Sequence, residues 1–408
     1  MADPSQPLKV GLDLTFQGRI SRQVLCGYLS RAMVISDCTA KALTLDDDLR
    51  MILNTGAKYI ARSGGAWDPT RAYVESIGQQ KAAIDRLHRS DDNLICEACI
   101  FEHVSPAVND IRIPTWVLEA FDMPLEERHF SYKSMSPWWG PFRDHFGRGL
   151  SVPDIRRVET RMFFYYLACE HIDAGYEGLH LGQVHLTGTR DGTWEYWTEV
   201  VDKIRGHAAE RSRRNHVLIN AHTFGIIDTH GKLMFDFHAH PVRGRAPNGS
   251  FPHVASEEAP QEIVPGVGLG KNYLYLNHRD SIFTHSLGGT SPSGWDCARL
   301  PYLVELDNWN GYAPRLLDRP SYGEEISWWG FDEISWFANQ PKWYRAQWLE
   351  NTVKWIRTID PVGHLEMPGR RTAAIRQEDG TILQTEYSAS ITSGSGDEEF
   401  IRNIWMRS

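Results

Sequence analysis

The sequence predicts an α/β protein: a single (β/α)8 TIM-type barrel over residues 1–408, with long βα loops after strands three and six. Three observations point there. Eight short strand-like runs occur along the chain, most of them followed by runs of helical periodicity. No internal repeat, low-complexity tract or Ser/Gly linker divides the 408 residues, a length that one barrel with insertions accommodates. Polar residues gather at the C-terminal ends of the strand-like runs, where such a barrel builds its site.

The elements follow in order. VGLDLTF, from Val10, alternates as a first strand, and amphipathic stretches follow through Gly56. KYIARS, from Lys58, is the second strand, and WDPTRAYVESIGQQKAAIDRLHR has helical periodicity. LICEACIFE, from Leu94, is the third, followed by a Pro- and aromatic-rich loop from His103 to Val152. The helix PDIRRVETRMFFYYLACEHIDAG leads to EGLHLGQV, from Glu177, the fourth strand. The helix TWEYWTEVVDKIRGHAAERSRRN leads to HVLINAH, from His216, the fifth. MFDFHAHP, from Met234, is the sixth, and a Gly-, Ser- and Pro-rich loop spans Val242 to Pro292. YLVELDNWN, from Tyr302, is the seventh, followed by the helix PKWYRAQWLENTVKWIRTID. HLEMPGRR, from His364, is the eighth, and DEEFIRNIWM forms a closing helix. Between His222 and Met234 there is no room for a helix, so that barrel step is either abbreviated or replaced by a hairpin at DTHGK.

Composition narrows the function. The 43 basic and 52 acidic residues give a net charge of −9, and the densest basic cluster, Arg211 to Arg214, lies on a helix end. That argues against a nucleic-acid groove. MADPSQPLKVGLDLTF lacks a charged region followed by an apolar one, and no run approaches the roughly 18 apolar residues of a membrane span. The expectation is a soluble, cytoplasmic protein with no membrane partner. Six cysteines are too few for a disulfide scaffold. Cys96 and Cys99 form a C-x-x-C, but a strand sends them to opposite faces, which suits buried small hydrophobes better than a redox or zinc pair.

The strand ends carry a dense polar set. Strand one offers Asp13 and Gln17, strand two Arg62, strand three Glu102 and His103, and strand four Gln183 and His185. Strand five carries Asn220 and His222, strand six Asp236, His238 and His240, strand seven Glu305, Asp307 and Asn308, and strand eight Glu366 and Arg370. In MFDFHAHP, Asp236, His238 and His240 share one face, expected to point into a common pocket, with Asp236 and Asn220 deeper and engaged in hydrogen bonds. In LVELDNW, Glu305 and Asp307 share a face, and two close acids push one pKa upward, leaving one acid and one base. Arg62 is the expected partner of this pair. Of 15 tryptophans, Trp67, Trp138, Trp139, Trp295, Trp309, Trp328, Trp329 and Trp336 fall in expected loops. Indole faces beside carboxylates, amides and imidazoles are the composition of a saccharide pocket.

The strand order, the tryptophan-rich loops and the acid in LVELDNW resemble glycoside-hydrolase barrels. In the largest such group, the resemblance implies a Glu nucleophile at the end of strand seven and a Glu acid/base after an Asn at the end of strand four. Glu305 matches the first. Strand four has Gln183 and His185 and no Asn-Glu pair, so either the acid/base comes from Glu102, Asp307 or Glu333, or the chemistry differs. The expectation is therefore a glycoside hydrolase acting on a small-molecule or oligosaccharide substrate, without a cofactor. Its catalytic residues would be Glu305, Asp307, Glu102 and Glu333. Asp13, Arg62, Gln183, His185, His222, His238, His240, Trp138, Trp309 and Trp329 would bind substrate. One alternative is a metal-dependent barrel hydrolase or isomerase, with a divalent metal on His238 and His240 joined by Glu102, His222 and Asp307. A second is a non-catalytic sugar-binding protein, consistent with Gln183 where an acid is expected.

Overall fold

The structure is a computed structural model that describes residues 12–241 apart from 224 and 229, residues 288–307, and residues 333–407 apart from 378. It is a mixed α/β fold built on a mostly parallel central sheet. β1 is Ala32–Ile35, β2 Tyr59–Ala66, β3 Ile95–Ile100, β4 Gly178–His180, β5 Leu218–Asn220 and β6 His238–Pro241. β7 is Tyr302–Glu305, β8 Gly363–Leu365, β9 Met367–Arg376 and β10 Ile382–Ser388. Between β6 and β7 a small antiparallel pair, Gly289–Thr290 with Asp296–Cys297, stands apart.

Seven strands lie in the order β10-β9-β1-β2-β3-β4-β5, and three in the order β8-β7-β6. All these pairs are parallel except β9 with β10. The two sheets meet at both edges. Past the end of β5, His222 bridges Ala239 in parallel. The Asp236 and Ala239 amides donate to the carbonyls of Ile219 and Ala221 at 2.9 and 3.1 Å. At the other edge β8 runs into β9 with only Glu366 between them, and the Glu366 amide donates to the Val304 carbonyl at 2.9 Å. β6 therefore runs parallel to β5, and its connection is the abbreviated step. The turn at Asp228–Lys232 makes only a local antiparallel bridge, Ile227 to Leu233.

Parallel strands need long crossovers, and helices supply them. Arg71–Ser90, Val158–Ala174 and Glu195–Arg211 follow β2, precede β4 and precede β5. They bury Ile77 and Ile84, Phe163 and Phe164, and Trp197 and Ile204. These side chains share one apolar cluster with Met33, Ile60, Cys96, Ala98, Leu179, Ile219, Tyr302 and Val304 of the strands. The alternate strand residues form a second cluster on the other face: Ala32, Val34, Tyr59, Ala61, Ile95, Leu218, Phe237, Ala239 and Leu303. Helices therefore cover one face, and the site lies on the other.

Two expectations about strands are corrected. VGLDLTF is not the first strand. From Leu12 onward it shows only an isolated bridge between Gln17 and Arg19. Leu14, Phe16 and Ile20 join the second cluster beside Tyr28, Leu218 and Phe237. The Tyr28 hydroxyl donates to the Leu14 carbonyl at 3.0 Å, and the Gly18 amide to the Arg214 carbonyl at 2.7 Å. This segment underlies the N-terminal ends of the strands, with one side buried and the other wet, and that two-sidedness produces its alternation. The first strand is AMVI, four buried residues just after the helix Arg22–Leu29.

The second correction concerns which way β6 faces. Phe237 and Ala239 point to the face away from the helices. Asp236 points to the helices, where its Oδ2 accepts from Arg205 at 2.8 Å and from the Ile219 amide at 2.9 Å. His238 stacks on Tyr302 with ring centroids 5.8 Å apart, and burial lowers its pKa to about 3. His240, two residues on, shares this side. Both faces of these strands are buried, so alternation separates two sets of residues without saying which meets the helices.

Candidate active site

Two residues further along the strands than the second apolar cluster, the same face turns polar. Glu97 and Cys99 follow Ile95 at two-residue steps, Asn220 and His222 follow Leu218, and Glu305 and Asp307 follow Leu303. His180 of β4 pairs in register with Cys99 on one side and Asn220 on the other. The polar end is the C-terminal one.

Arg62 is the centre of charge. It sits at φ +53°, where β2 and β3 lose register between Ile60 and Gly64. This irregularity re-aims the side chain, as bulges do beside functional sites. One guanidinium nitrogen donates to Glu305 Oε2 at 2.6 Å and reaches Asp307 Oδ1 at 3.5 Å. Arg371 donates to the same Asp307 oxygen at 3.2 Å and to the Leu306 carbonyl at 2.9 Å. His222 Nε2 contacts Glu305 Oε1, so that nitrogen carries the proton. Burial alone would raise the Glu305 pKa, but Arg62 and His222 overturn this and hold it well below the usual carboxylate range. Asp307 is lowered too, Arg62 and Arg371 outweighing burial and the Glu305 charge.

A second group lies alongside. Glu97 Oε2 accepts from the Tyr59 hydroxyl at 2.5 Å and from Asn220 Nδ2 at 2.6 Å, and its Oε1 accepts from the Arg62 amide at 3.1 Å. Burial still leaves its pKa raised. Asn220 spends its amide hydrogens on Glu97, so its oxygen accepts from His180 Nδ1 at 2.7 Å. The His180 ring lies 4.4 Å from that of His222. Burial, and next the neighbouring His222 and Arg62, push the His180 pKa well down, so this imidazole is neutral. Glu366, from the junction of β8 and β9, is raised well above its usual pKa by burial and by the Glu305 charge.

The expected site residues divide accordingly. Arg62, His222, Glu305 and Asp307 are brought together. Glu102 is buried at the end of β3, but both its oxygens are engaged by Gln183, from the amide and from Nε2, each at 2.8 Å. His185 lies in the short helix Val184–Thr187, with Nδ1 3.5 Å from Thr223 Oγ1. Burial, then His222, lowers its pKa. Asp13 is exposed and accepts from the Thr15 amide at 3.0 Å in the segment beneath the strands, at the wrong end for the site. His238 and His240 face the helices, so they do not meet His222 and Asp307, and the metal set is not assembled. Among the described residues no group of three or more His, Cys, Asp or Glu side chains could hold a metal ion. Arg370 turns away to Asp48, at 2.7 Å, because an irregular step opposite Val34 and Ile35 shifts the alternation and leaves Arg371 on the site side.

Glu333 opens the helix Glu333–Ala338, which also contains Trp336. Asn308, Trp309, Trp328 and Trp329 lie outside the described residues. Trp138 and Trp139 are exposed on the loop after β3, at 83% and 46%. Trp295 instead donates to the Ile20 carbonyl, at the opposite end. Trp67 lies beside the site: it packs 5.3 Å from Phe101, and Phe101 meets the His180 ring edge-on and lies under the Arg62 guanidinium. Glu97, His180 and Arg371 are the residues that sequence reading passed over. Alternation from Ile95 through Glu97 to Cys99 was the available signal, masked by the apolar run around it.

No protein-family model matches the chain, and no curated protein matches it. Among solved structures, 13 chains match. A debranching enzyme of Nostoc punctiforme, soaked with acarbose, aligns over 96% of this chain and 82% of its own, at 11% identity and a TM-score of 0.43. A second structure of that enzyme and its native form each align over 72% of this chain and 66% of theirs. Their identities are 13% and 11%, and their TM-scores 0.34 and 0.36. Similarity at that level carries no inference about this chain. No helix among the described residues is long and apolar enough to cross a membrane.

Proposed function

We propose that the two sheets form one closed (β/α)8 barrel and that its C-terminal end is the active site of a carbohydrate-active enzyme, a glycoside hydrolase. Closure is supported by the parallel bridge from β5 to β6 and by the unbroken run of β8 into β9. Together they support a circular order of β1 to β7 and the β8–β9 strand. The observation that carries the functional reading is Glu305. It is a carboxylate buried among Arg62 and His222, kept ionised where burial alone would neutralise it. An ionised carboxylate withdrawn from water and fixed by a cation is poised as a nucleophile. Asp307, held between Arg62 and Arg371, spaces that cation and shares its charge. The substrate class rests on the aromatic wall of Trp67 and Phe101 beside a cluster rich in hydrogen-bonding groups, which suits the flat faces and hydroxyls of a sugar.

The test is turnover of a panel of nitrophenyl glycosides and oligosaccharides by the parent, Glu305→Gln and Asp307→Asn, with melting curves on all three. Glu305→Gln is expected to stay folded and lose on the order of 10²–10⁴-fold or more in turnover. A parent that binds sugars without hydrolysing any of them, or variants that melt and turn over like the parent, overturns the reading.

A further inference from the structure

We propose that Glu366 is the catalytic acid of this site, the group that protonates the departing glycosidic oxygen. The inference rests on the glycosidase reading and adds a residue to it from a strand where the resemblance places none.

The case is one of geometry. Five buried carboxyl groups among the described side chains lie on the strand ends of this face. Glu97 accepts from Tyr59, Asn220 and the Arg62 amide. Glu102 accepts twice from Gln183. Glu305 is held by Arg62 and His222, and Asp307 by Arg62 and Arg371. A carboxyl that accepts hydrogen bonds through both oxygens, as Glu97, Glu102 and Glu305 do, or from two guanidinium groups through one oxygen, as Asp307 does, is held as an acceptor and is a poor proton donor. Glu366 differs. It is 3% exposed, its Oε1 is buried without a hydrogen-bond partner, and no salt bridge reaches it among the described residues. A bare buried carboxylate is costly, and the neutral acid is the form such a site holds. Its place is also right. The β7–β8 register puts Leu365 opposite Val304, and the bond from the Glu366 amide to the Val304 carbonyl continues it, setting Glu366 on the neighbouring strand at the level of Glu305. The Glu305 charge and burial both push its pKa up.

The chemistry balances. Glu366 gives its proton to the glycosidic oxygen as the C1–O bond breaks, and that bond's electron pair stays on the oxygen, which leaves as an alcohol. Glu305 supplies an electron pair to C1, forming an ester. Glu366, now a carboxylate, takes a proton from water as the water oxygen attacks C1 and the ester bond breaks. Glu305 returns as a carboxylate and Glu366 as an acid, and one water is consumed.

The experiment exploits leaving-group dependence. Parent and Glu366→Gln are compared on an alkyl glycoside and on the dinitrophenyl glycoside of the same sugar, with and without azide. A leaving group that needs no proton should make the acid dispensable for bond cleavage. The variant is expected to lose about 10²–10⁴-fold on the alkyl glycoside. On the dinitrophenyl substrate it should keep a burst of released phenol near the parent's rate, then stall until azide releases the sugar as a glycosyl azide. Equal losses on both substrates, without a burst, would make Glu366 structural and overturn the proposal. Infrared titration of the parent supplies a readout independent of turnover and of variant folding. A protonated carboxyl band should persist at pH 7, and its absence overturns the proposal. A parent that hydrolyses no glycoside removes the glycosidase reading, and the acid with it, even if that band is present.

Discussion

Arg62 is where charge is concentrated, and replacing it tests how the acids are tolerated. Arg62→Met leaves Glu305 and Asp307 buried side by side with one cation fewer, and losing one member of a buried ion cluster costs about 3–5 kcal/mol. The pH dependence has a definite sign. Arg62 helps depress both folded-state pKa values, so its stabilisation is present above the ordinary carboxylate range and lost as pH falls through the depressed values. The stability gap between parent and variant, measured by urea unfolding, should be widest near neutrality and should narrow in acid. A gap that does not change with pH would mean that Arg62 acts through packing alone. At this scale much of the site was legible. Arg62, His222, Glu305 and Asp307 were read from strand ends, and they do meet. Glu97 and His180 were not, because a lone acid in LICEACIF and a histidine in GLHLG carry no local sign that the strand's other face is shared with other polar residues, and Arg371 was not, because the irregular step that exchanges it for Arg370 leaves no mark in the sequence.

The strands explain what sequence periodicity can and cannot report. Alternation sorted MFDFHAHP into two sets correctly, yet Asp236 turned out to answer Arg205 on a helix. In a sheet covered on both sides, a buried salt bridge can stand on the helix face as readily as in a pocket. β1 was missed for a related reason: four apolar residues have no alternation, while the half-wet segment before it has plenty. β2 carries a device that sequence showed only as a glycine pair. Gly65 has φ +136°, and a Cβ there would lie 2.8 Å from the Cys99 carbonyl oxygen. Gly65→Ala should therefore destabilise by about 1–3 kcal/mol, the cost of a strained backbone position. It should also cut turnover, because the same irregular stretch aims Arg62. Gly78 is the control: it lies within the helix Arg71–Ser90, and a Cβ there meets nothing within 4 Å. Gly78→Ala should stabilise by about 0.5–1 kcal/mol. Melting temperatures moving in the same direction for both would contradict the assignment.

Taken whole, the molecule buries several histidines as neutral rings, and this sets its acid limit. Burial lowers His171 to about 4, its Nδ1 facing the Leu167 carbonyl at 2.7 Å and its Nε2 facing the Tyr73 hydroxyl at 2.8 Å. Burial, then Arg357, lowers His364 to about 4 as well. Folded pKa values below the unfolded value mean that the unfolded chain takes up protons first. Stability is complete above about pH 6.5 and declines as pH falls toward 4, by on the order of 3 kcal/mol per histidine. Urea midpoints should drop from pH 7 to pH 5, and His171→Gln should drop less steeply than the parent. A flat profile over that interval would show that these rings are solvated. The segment beneath the strands has a different consequence, one of timing. Gln17 and Asn215, hydrogen-bonded across it, are 198 residues apart in the chain. A ribosome releases Leu14, Phe16 and Ile20 long before Leu218 and Phe237 exist to receive them. Closing so long a loop is entropically costly and raises contact order. The nascent chain thus carries this apolar segment uncovered until the residues that receive it emerge, an interval in which a chaperone has something to hold.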